Sequence, residues 1–350
     1  MILVGGGSRH GAQCRRTAHA WLARLLVAVV LFGAAGPASI EAAVYKCVDP
    51  DGSVTFQETT CDGMAPGGQT TQALRQGWPA GGKHIFWRVT GQHHKIYLLG
   101  SLHFGIDSMY PLPQVITDAL ASADALAVEA NIAAIPPVEL AAKMARSGLY
   151  TDGTHLRDVL GTSNWRALSN LSRTAGVSEA ELDRQKPWLA SMTLVSAALQ
   201  QLGYSPELGV DLQLMKGAGS RIPIVELESA DFQFSLFNRM AQEDQVAMLL
   251  QTMHQIRDAE RNFSDLLEAW MSGDVDTLER LIAEGFDTTM QGRSLYNSMI
   301  RDRNAAMVAS ITQLIRRYDV LFVVVGAGHM VGEEGIVARM KAIGYKVEQL

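Results

Sequence analysis

Residues 320–329 read VLFVVVGAGH, a run of six apolar residues that ends in a glycine and, three residues later, a histidine. Residues 96–103 read IYLLGSLH and repeat this pattern much earlier in the chain. Short apolar runs bounded by glycine are typical of strands buried on both faces of a sheet. A predicted helix and a second predicted strand follow each run, so the unit strand, Gly-x-x-His, helix, strand occurs twice. The helices begin near Pro113 and Glu333, and the second strands are residues 125–129 and 345–348.

The segment between the two units, residues 137–317, has a mostly helical pattern of apolar residues and contains one short strand at 224–227. We therefore predict an α/β (α+β) fold. Both ends of the domain form a mixed central sheet of roughly five or six strands, and a large helical insertion packs beside it. Helices are expected at residues 187–202, 208–216, 244–257, 263–271 and 294–317.

The two Gly-x-x-His motifs predict a functional site. A glycine just past a buried strand allows a tight turn, and a histidine three residues later then lies near the carboxyl edge of the sheet. Open α/β sheets bind their ligands at this edge. We expect His103 and His329 to meet there across neighbouring strands, with their rings facing one cleft. The alternative is that each histidine caps a helix or fills a gap in the core.

Carboxylates follow two other predicted strands. Glu129 ends the apolar strand 125–128, where a buried carboxylate needs a cation or a hydrogen-bond partner. It is a candidate metal ligand or general base, or else an exposed strand end. Glu226 and Glu228 share one face of the middle strand if that strand stays regular, whereas a turn there leaves only one of them in a site.

Arg303 and Asn304 lie on the long predicted helix 294–317. The guanidinium of Arg303 is suited to binding a substrate carboxylate or a developing oxyanion. On composition alone, a solvated helix face is the alternative for this residue.

Composition excludes several classes of function. A formal net charge of -6, from 30 basic and 36 acidic residues mixed along the chain, provides no basic stripe for nucleic acid. Only three cysteines occur, Cys14, Cys47 and Cys61, which excludes a structural thiolate zinc site. Any metal ion must therefore be bound by nitrogen and oxygen ligands.

Residues 1–43 have the order of a secretory signal: arginines, an apolar run at 25–35, a Gly-Pro break, and the small residues Ala42 and Ala43. A membrane anchor is the alternative, but an uninterrupted span needs about 20 apolar residues. We expect cleavage, a periplasmic or secreted location, and a mature protein without a stable membrane anchor.

A small module, a linker and the main domain follow. Residues 44–61 read as a hairpin and resemble a short module of unknown function found in exported bacterial proteins. Cys47 and Cys61 are expected to pair in an oxidising compartment. Residues 62–82 are rich in glycine and proline and predict a linker, and the main domain is residues 83–350.

The main domain resembles the TraB/GumN family, the bacterial branch of the superfamily that includes the animal Tiki proteases. The order and spacing of the matching pieces cover nearly all of residues 83–350, and the paired Gly-x-x-His motifs are the most specific of them. The pieces are residues 100–103, 111–113, 124–129, 209–211, 223–228, 303–304 and 326–332.

The resemblance implies a metal-dependent hydrolase, with manganese or cobalt favoured, and peptide cleavage is the activity of the Tiki branch. Zinc or iron also suit nitrogen and oxygen ligands. Two departures are Ser101, where threonine is usual, and Glu226, where a small residue is common; Glu226 leaves the choice of mid-domain carboxylate open. The resemblance implies the metal ligands His103, His329, Glu129 and Glu228, and the catalytic residues Glu129, Arg303 and Asn304.

Three functions remain open. The first is an exported metallohydrolase, a peptidase, in which two histidines and a carboxylate hold a divalent ion. The second is a non-catalytic protein that sequesters a peptide in the same cleft. The third is an esterase-like hydrolase on the same scaffold. The expected partner is a peptide or small-molecule substrate, and no nucleic acid is expected.

Overall fold

The computed structural model describes residues 45–48, 54–57, 77–79, 81–91, 93–219, 221–286 and 290–350. Strand β1 (Tyr45–Val48) pairs antiparallel with β2 (Val54–Gln57), in the place where the sequence predicts a hairpin. The predicted signal sequence and Cys61 lie outside the described residues. Export and the disulfide therefore stay predictions.

The main domain is built on a six-stranded mixed sheet, which confirms the predicted fold class. Its strand order is β6-β5-β7-β4-β3-β8. The first four strands in this order are parallel to one another. At the other side of the sheet, β3 pairs antiparallel with β4, and β8 pairs antiparallel with β3. The strands are β3 (Phe86–Thr90), β4 (Lys95–Ser101), β5 (Ala125–Val128), β6 (Ile224–Glu226), β7 (Val320–Gly326) and β8 (Lys346–Gln349).

The two motif-bearing strands are neighbours at the centre of the sheet. β4 and β7 pair in parallel over seven residues, from Lys95 opposite Val320 to Ser101 opposite Gly326. A side chain at Gly100 would place its Cβ only 2.6 Å from Ile85 and 2.9 Å from the backbone of Ala327. Because only glycine fits there, the two Gly-x-x-His loops can lie against each other.

The two repeated units are not equivalent in the sheet. In the first unit β4 and β5 lie on either side of β7, whereas in the second unit β8 pairs with β3 at the far edge. The helices are α1 (Gln114–Ala121), α2 (Pro137–Gly148), α3 (Leu156–Thr174), α4 (Glu179–Leu182), α5 (Pro187–Gln201), α6 (Val210–Ala218), α7 (Ala230–Arg239), α8 (Gln242–Gln255), α9 (Ala259–Ser272), α10 (Val275–Ala283), α11 (Met290–Tyr296), α12 (Asp302–Leu314) and α13 (Ile336–Ala342).

The single helix expected at 294–317 is interrupted. α11 is followed by one π-helical turn, Asn297–Arg301, and then by α12. A π turn inserts extra residues into the helix and rotates everything that follows it, and such turns are frequent at functional sites. Here the π turn directly precedes the first turn of α12, which carries Arg303 and Asn304. None of the helices that the structure describes is both long enough and apolar enough to cross a bilayer.

The insertion is attached to the sheet by a buried indole, which generates a prediction. Trp270 on α9 donates a hydrogen bond of 2.6 Å to the carbonyl of Gly100. Trp188 on α5 is equally buried, but its Nε1 has no hydrogen-bond partner among the described residues. Trp270→Phe and Trp188→Phe remove similar volumes, and only the first removes a hydrogen bond.

We expect Trp270→Phe to lower the free energy of unfolding by about 0.5–1.5 kcal/mol more than Trp188→Phe does. Denaturant unfolding of both variants measures the difference. An equal or smaller loss for Trp270→Phe would show that the hydrogen bond to Gly100 does not stabilise the fold.

Candidate active site

The carboxyl ends of β4, β7, β5 and β6 meet at one edge of the sheet, because these strands are parallel neighbours. His103 and His329 follow β4 and β7, and Glu129 and Glu228 follow β5 and β6. Two residues of α12 reach the same edge. The structure thus brings the side chains proposed from the sequence together, from four strand ends and one helix.

Glu129 is buried and accepts hydrogen bonds on both carboxylate oxygens, rather than lying at an exposed strand end. Its Oε1 accepts a hydrogen bond of 2.6 Å from the backbone N–H of Gly326 on β7. Its Oε2 accepts hydrogen bonds from Arg303 Nη2 at 2.8 Å and from Gln233 Nε2 at 3.1 Å. These contacts fix the carboxylate against the end of the central strand.

The environment of Glu129 keeps it ionised. Burial by itself raises the pKa of a carboxyl group, but proximity to His329 and Arg303 and the N–H of Gly326 lower the pKa of Glu129 by more, to about 2. At neutral pH the group is therefore a carboxylate.

Arg303 is 2% exposed and binds two carboxylates at once, so it does not lie on a solvated helix face. Besides Glu129, it contacts Glu228 through Nε to Oε1 at 2.9 Å and through Nη2 to Oε2 at 2.6 Å. Its Nη1 donates to the carbonyl of Met299 in the π turn at 3.2 Å. All three nitrogen atoms of the guanidinium therefore donate hydrogen bonds inside the protein.

The structure separates the two mid-domain glutamates. Glu226 ends β6 and is exposed, where it accepts a hydrogen bond of 2.7 Å from the backbone N–H of Asn131. Glu228 lies beyond the end of the strand and faces Arg303. Burial raises the pKa of Glu228, and the charge of Glu129 adds to this rise; together they outweigh the lowering of the pKa by Arg303 and Gln233. Glu228 is therefore the mid-domain carboxylate of this site.

The ring of His329 is held in one tautomer by Asn304. Asn304 Nδ2 donates to the carbonyl of Glu334 at 2.8 Å, and because a carbonyl only accepts, the amide orientation is fixed. Asn304 Oδ1 then lies 2.6 Å from His329 Nδ1 and must accept from it. The proton of a neutral His329 is therefore on Nδ1, and Nε2 carries a lone pair.

That lone pair lies close to Glu129. His329 is completely buried, and its Nε2 has no hydrogen-bond partner among the described residues. The distance from Nε2 to Glu129 Oε1 is 3.8 Å. Burial, followed by the charge of Arg303, lowers the pKa of His329 to about 3. The ring is thus neutral at physiological pH.

His103 is oriented by a carboxylate from the helical insertion. Its Nδ1 lies 3.0 Å from Asp211 Oδ2 in the first turn of α6. The start of α6 is fixed to the motif loop, since the N–H of Val210 donates to the carbonyl of Leu102 at 2.9 Å. A Cβ on Gly209 would lie 2.5 Å from the carbonyl oxygen of His103, so glycine is required for this close approach.

Two residues of the site, Asp211 and Gln233, were not assigned a role from the sequence. Asp211 belongs to one of the pieces that carry the family resemblance, and this was the only signal for it. Gln233 on α7 donates to Glu129 and, at 3.3 Å, to Glu228. Both come from the insertion, whose placement against the sheet edge depends on tertiary packing.

The donor atoms match a metal site in part. Two ligands of one ion, each about 2.1 Å from it, are at most about 4.2 Å apart, so His329 Nε2 and Glu129 Oε1 fit this limit. Metal-binding histidines usually donate their other ring N–H to a fixed acceptor, and both histidines here have such a group beside Nδ1. Across the part of the chain that the structure describes, however, no group of three or more His, Cys, Asp or Glu side chains is arranged to hold a metal ion.

A small cavity opens at this edge. Its volume is about 20 Å³, enough for one water molecule or ion. It reaches Glu129 and both members of the His103 and Asp211 pair, whereas His329 lies outside its lining. The remaining polar lining residues are Ser101 and Gln233.

Comparison with known proteins identifies a family for most of the chain. The family model described as the TraB/PrgY/gumN family matches residues 85–349, and a domain of unknown function (DUF4124) matches residues 31–76. The chain is 27% identical over 261 residues to the uncharacterized protein YbaP of Escherichia coli strain K12, which covers 72% of this chain and 91% of YbaP. It is 22% identical over 265 residues to an uncharacterized protein of Treponema pallidum strain Nichols, covering 73% and 79% of the two chains. No solved structure matches.

The contact between α6 and the first motif loop can be tested with two glycines of the same helical segment. Gly209→Ala forces the backbone of His103 to move, and we expect it to lower the free energy of unfolding by about 1–3 kcal/mol. Gly217 is exposed near the end of α6 and has no atom within 4 Å of an added Cβ. Gly217→Ala is therefore the control, and we expect it to stabilise by up to about 1 kcal/mol. A Gly209→Ala protein as stable as wild type would contradict the close packing of the two loops.

The pKa of His329 predicts acid sensitivity in chelator-treated protein. Its folded-state pKa, about 3, lies below the ordinary value of 6.5. Between these values the unfolded chain binds a proton that the folded chain does not, so stability is greatest above pH 6.5 and falls as pH decreases. We expect His329→Gln to reduce the slope of unfolding free energy against pH near pH 5 by about 1.4 kcal/mol per pH unit. Denaturant unfolding at several pH values gives both slopes, and equal slopes would mean that His329 is protonated in the folded protein.

Proposed function

We propose that this chain, which belongs to the TraB/PrgY/gumN family, is a metal-dependent hydrolase that cleaves peptides outside the cytoplasm. One observation carries the proposal: the neutral ring of His329 presents a buried lone pair to the ionised carboxylate of Glu129 at 3.8 Å. A buried nitrogen acceptor beside a buried carboxylate is the kind of environment that a divalent cation stabilises.

His329, Glu129 and His103 would hold the ion, with Asn304 and Asp211 orienting the two rings. When bound, a divalent ion lowers the pKa of a coordinated water and polarises a substrate carbonyl. Nitrogen and oxygen ligands suit manganese, cobalt, zinc or iron, and the family resemblance favours the first two.

The contacts of the site distinguish two roles for Glu129. A carboxylate with a pKa near 2 is a poor proton acceptor at neutral pH, so we assign Glu129 to binding the ion rather than to general base catalysis. Glu228, whose pKa is raised, is the better candidate to take up a proton. Arg303 donates to both carboxylates and to a backbone carbonyl, so we assign it to holding the glutamates rather than to an oxyanion.

In the proposed reaction, water oxygen adds to the carbonyl carbon of a peptide bond. The C–N bond then breaks, and the amide nitrogen leaves with a proton from that water, so the products are a carboxylate and an amine. An ester substrate would follow the same balance with an alcohol as the leaving group, and a parallel screen of peptides and esters separates the two.

A second candidate is a non-catalytic protein that sequesters a peptide at this edge. It is favoured by the ion pairs of both glutamates with Arg303 and by the lack, among the described residues, of three side chains arranged around one ion. Under this candidate the buried charges have only a structural role.

Export is part of the proposal. Cleavage near Ala43 or Val44 would place the chain in the periplasm or outside the cell. There Cys47 and Cys61 would form a disulfide within the N-terminal module.

Metal content and turnover of histidine variants test the proposal. We expect purified protein to bind about one Mn²⁺ or Co²⁺ per chain and to hydrolyse peptides only when the ion is supplied. His103→Ala and His329→Ala should each weaken metal binding by at least about 10–100-fold, because loss of an outer-shell contact alone has that effect. His254 is exposed on α8, and His254→Ala is the control, with unchanged binding.

Titration calorimetry and elemental analysis measure the binding. Wild-type protein that binds peptides but neither ion would favour the sequestering function. Unchanged metal affinity in His329→Ala would contradict the assigned site.

A further inference from the structure

A second cavity of about 400 Å³ lies beside the candidate active site, between α7, α8, α11, the π turn and α12. We call it the helical groove. This volume is within the range of pockets that bind small ligands or single segments of larger ones, roughly 300–1,000 Å³. The cavity at the sheet edge, by contrast, has room for only one water or ion. A substrate larger than that must therefore be bound by a neighbouring surface.

The helical groove shares its wall with the site. Arg303 lines the groove, while its guanidinium binds Glu129 and Glu228. On α7, Gln233 donates to Glu129, and the preceding residue, Phe232, lines the groove. A ligand in the groove would thus be separated from the two carboxylates by the side chain of Arg303 and by α7.

The lining combines an apolar floor with a polar rim. Leu236, Met240 and Met248 supply apolar surface, and Phe232 is 39% exposed, unusual for a large aromatic side chain. At the rim, the carboxylate of Asp244 makes no hydrogen bond or ion pair with any described residue, and Arg239 lies over the ring of Phe232 at 5.7 Å. An apolar pocket with a few polar groups is typical of ligand-binding sites.

We infer that the helical groove binds a large apolar side chain of the peptide substrate and positions the adjacent backbone at the sheet edge. This inference rests on the proposed function, because only that function makes the bound peptide a substrate. The apolar floor removes the side chain from water, and the carboxylate of Asp244 can accept a hydrogen bond from a peptide N–H.

The polar groups at the rim favour a peptide over a fatty acyl chain. Of the acidic lining residues, Asp302 is ion-paired with Arg301 at 3.0 Å, which leaves the carboxylate of Asp244. Arg239 is the exposed cation of the lining among the described residues, since Arg303 is buried between two glutamates. One acceptor and one donor group at the rim match the N–H and C=O groups of a peptide backbone, whereas a fatty acyl chain offers only its carboxylate head group.

Two neighbouring alanines of α12 provide a matched test. Ala306 lines the groove, and Ala305 does not; both are exposed, so a larger side chain at either position can be accommodated at the surface. Ala306→Trp should fill the groove, and Ala305→Trp should leave it open. Ala247 on α8 also lines the groove and is exposed, so Ala247→Trp replaces Ala306→Trp if the latter does not fold.

The probes are two blocked tetrapeptides with a fluorescent label at the same end, identical except for phenylalanine or glycine at the second position. Fluorescence anisotropy measures their binding to the full chain, with Mn²⁺ and after chelator treatment. We expect wild type and Ala305→Trp to bind the phenylalanine peptide at least tenfold more tightly than the glycine peptide. Ala306→Trp should lose this preference while keeping its thermal unfolding temperature.

An equal preference for the phenylalanine peptide over the glycine peptide in Ala305→Trp and Ala306→Trp would overturn the inference. Displacement of the phenylalanine peptide by lower concentrations of decanoate than of unlabelled peptide would also overturn it. Because binding is also measured without metal, this result is separate from the proposed function. Loss of metal binding or turnover with an intact phenylalanine preference contradicts only the hydrolase proposal.

Discussion

The guanidinium of Arg303 lies between two buried glutamates, and the rest of the site depends on this arrangement. Glu129 and Glu228 both contact Nη2 of Arg303, and two carboxylates this close together inside a protein are unstable unless a cation compensates them. Arg303 supplies that charge and binds Glu228 through two nitrogens. Its second contact holds Glu129 against the end of β7, where the N–H of Gly326 completes the environment. With one arginine for two glutamates, the cluster retains an attraction for further positive charge.

The histidines are fixed by different means on the two sides of this cluster. Asn304 stands next to Arg303 on α12 and sets the tautomer of His329, so one helical turn positions both the cation and a ring. Asp211 orients His103 from α6, whose close approach requires Gly209. The sheet edge therefore supplies the reactive side chains, and the helical insertion supplies the groups that orient them.

The sequence predicted the sheet well and the insertion less well. Apolar strands and their glycines are local signals, and they placed His103, His329 and Glu129 at neighbouring strand ends. The burial of Arg303 is not local, because it depends on the π turn before α12 and on glutamates 75 and 174 residues away. The choice between Glu226 and Glu228 depended on where β6 ends. Asp211, Gln233 and the helical groove all require knowledge of how helices distant in sequence pack together.

The central claim is that His329 is a neutral Nδ1–H tautomer whose Nε2 lone pair faces Glu129. Nitrogen-15 NMR of the imidazole groups, in metal-free protein with His329→Gln used for assignment, reports this state directly. The account predicts a protonated Nδ1 and an unprotonated Nε2 for His329, unchanged from pH 8 to pH 5. An Nε2–H tautomer, or a ring that becomes doubly protonated above pH 5, would contradict it.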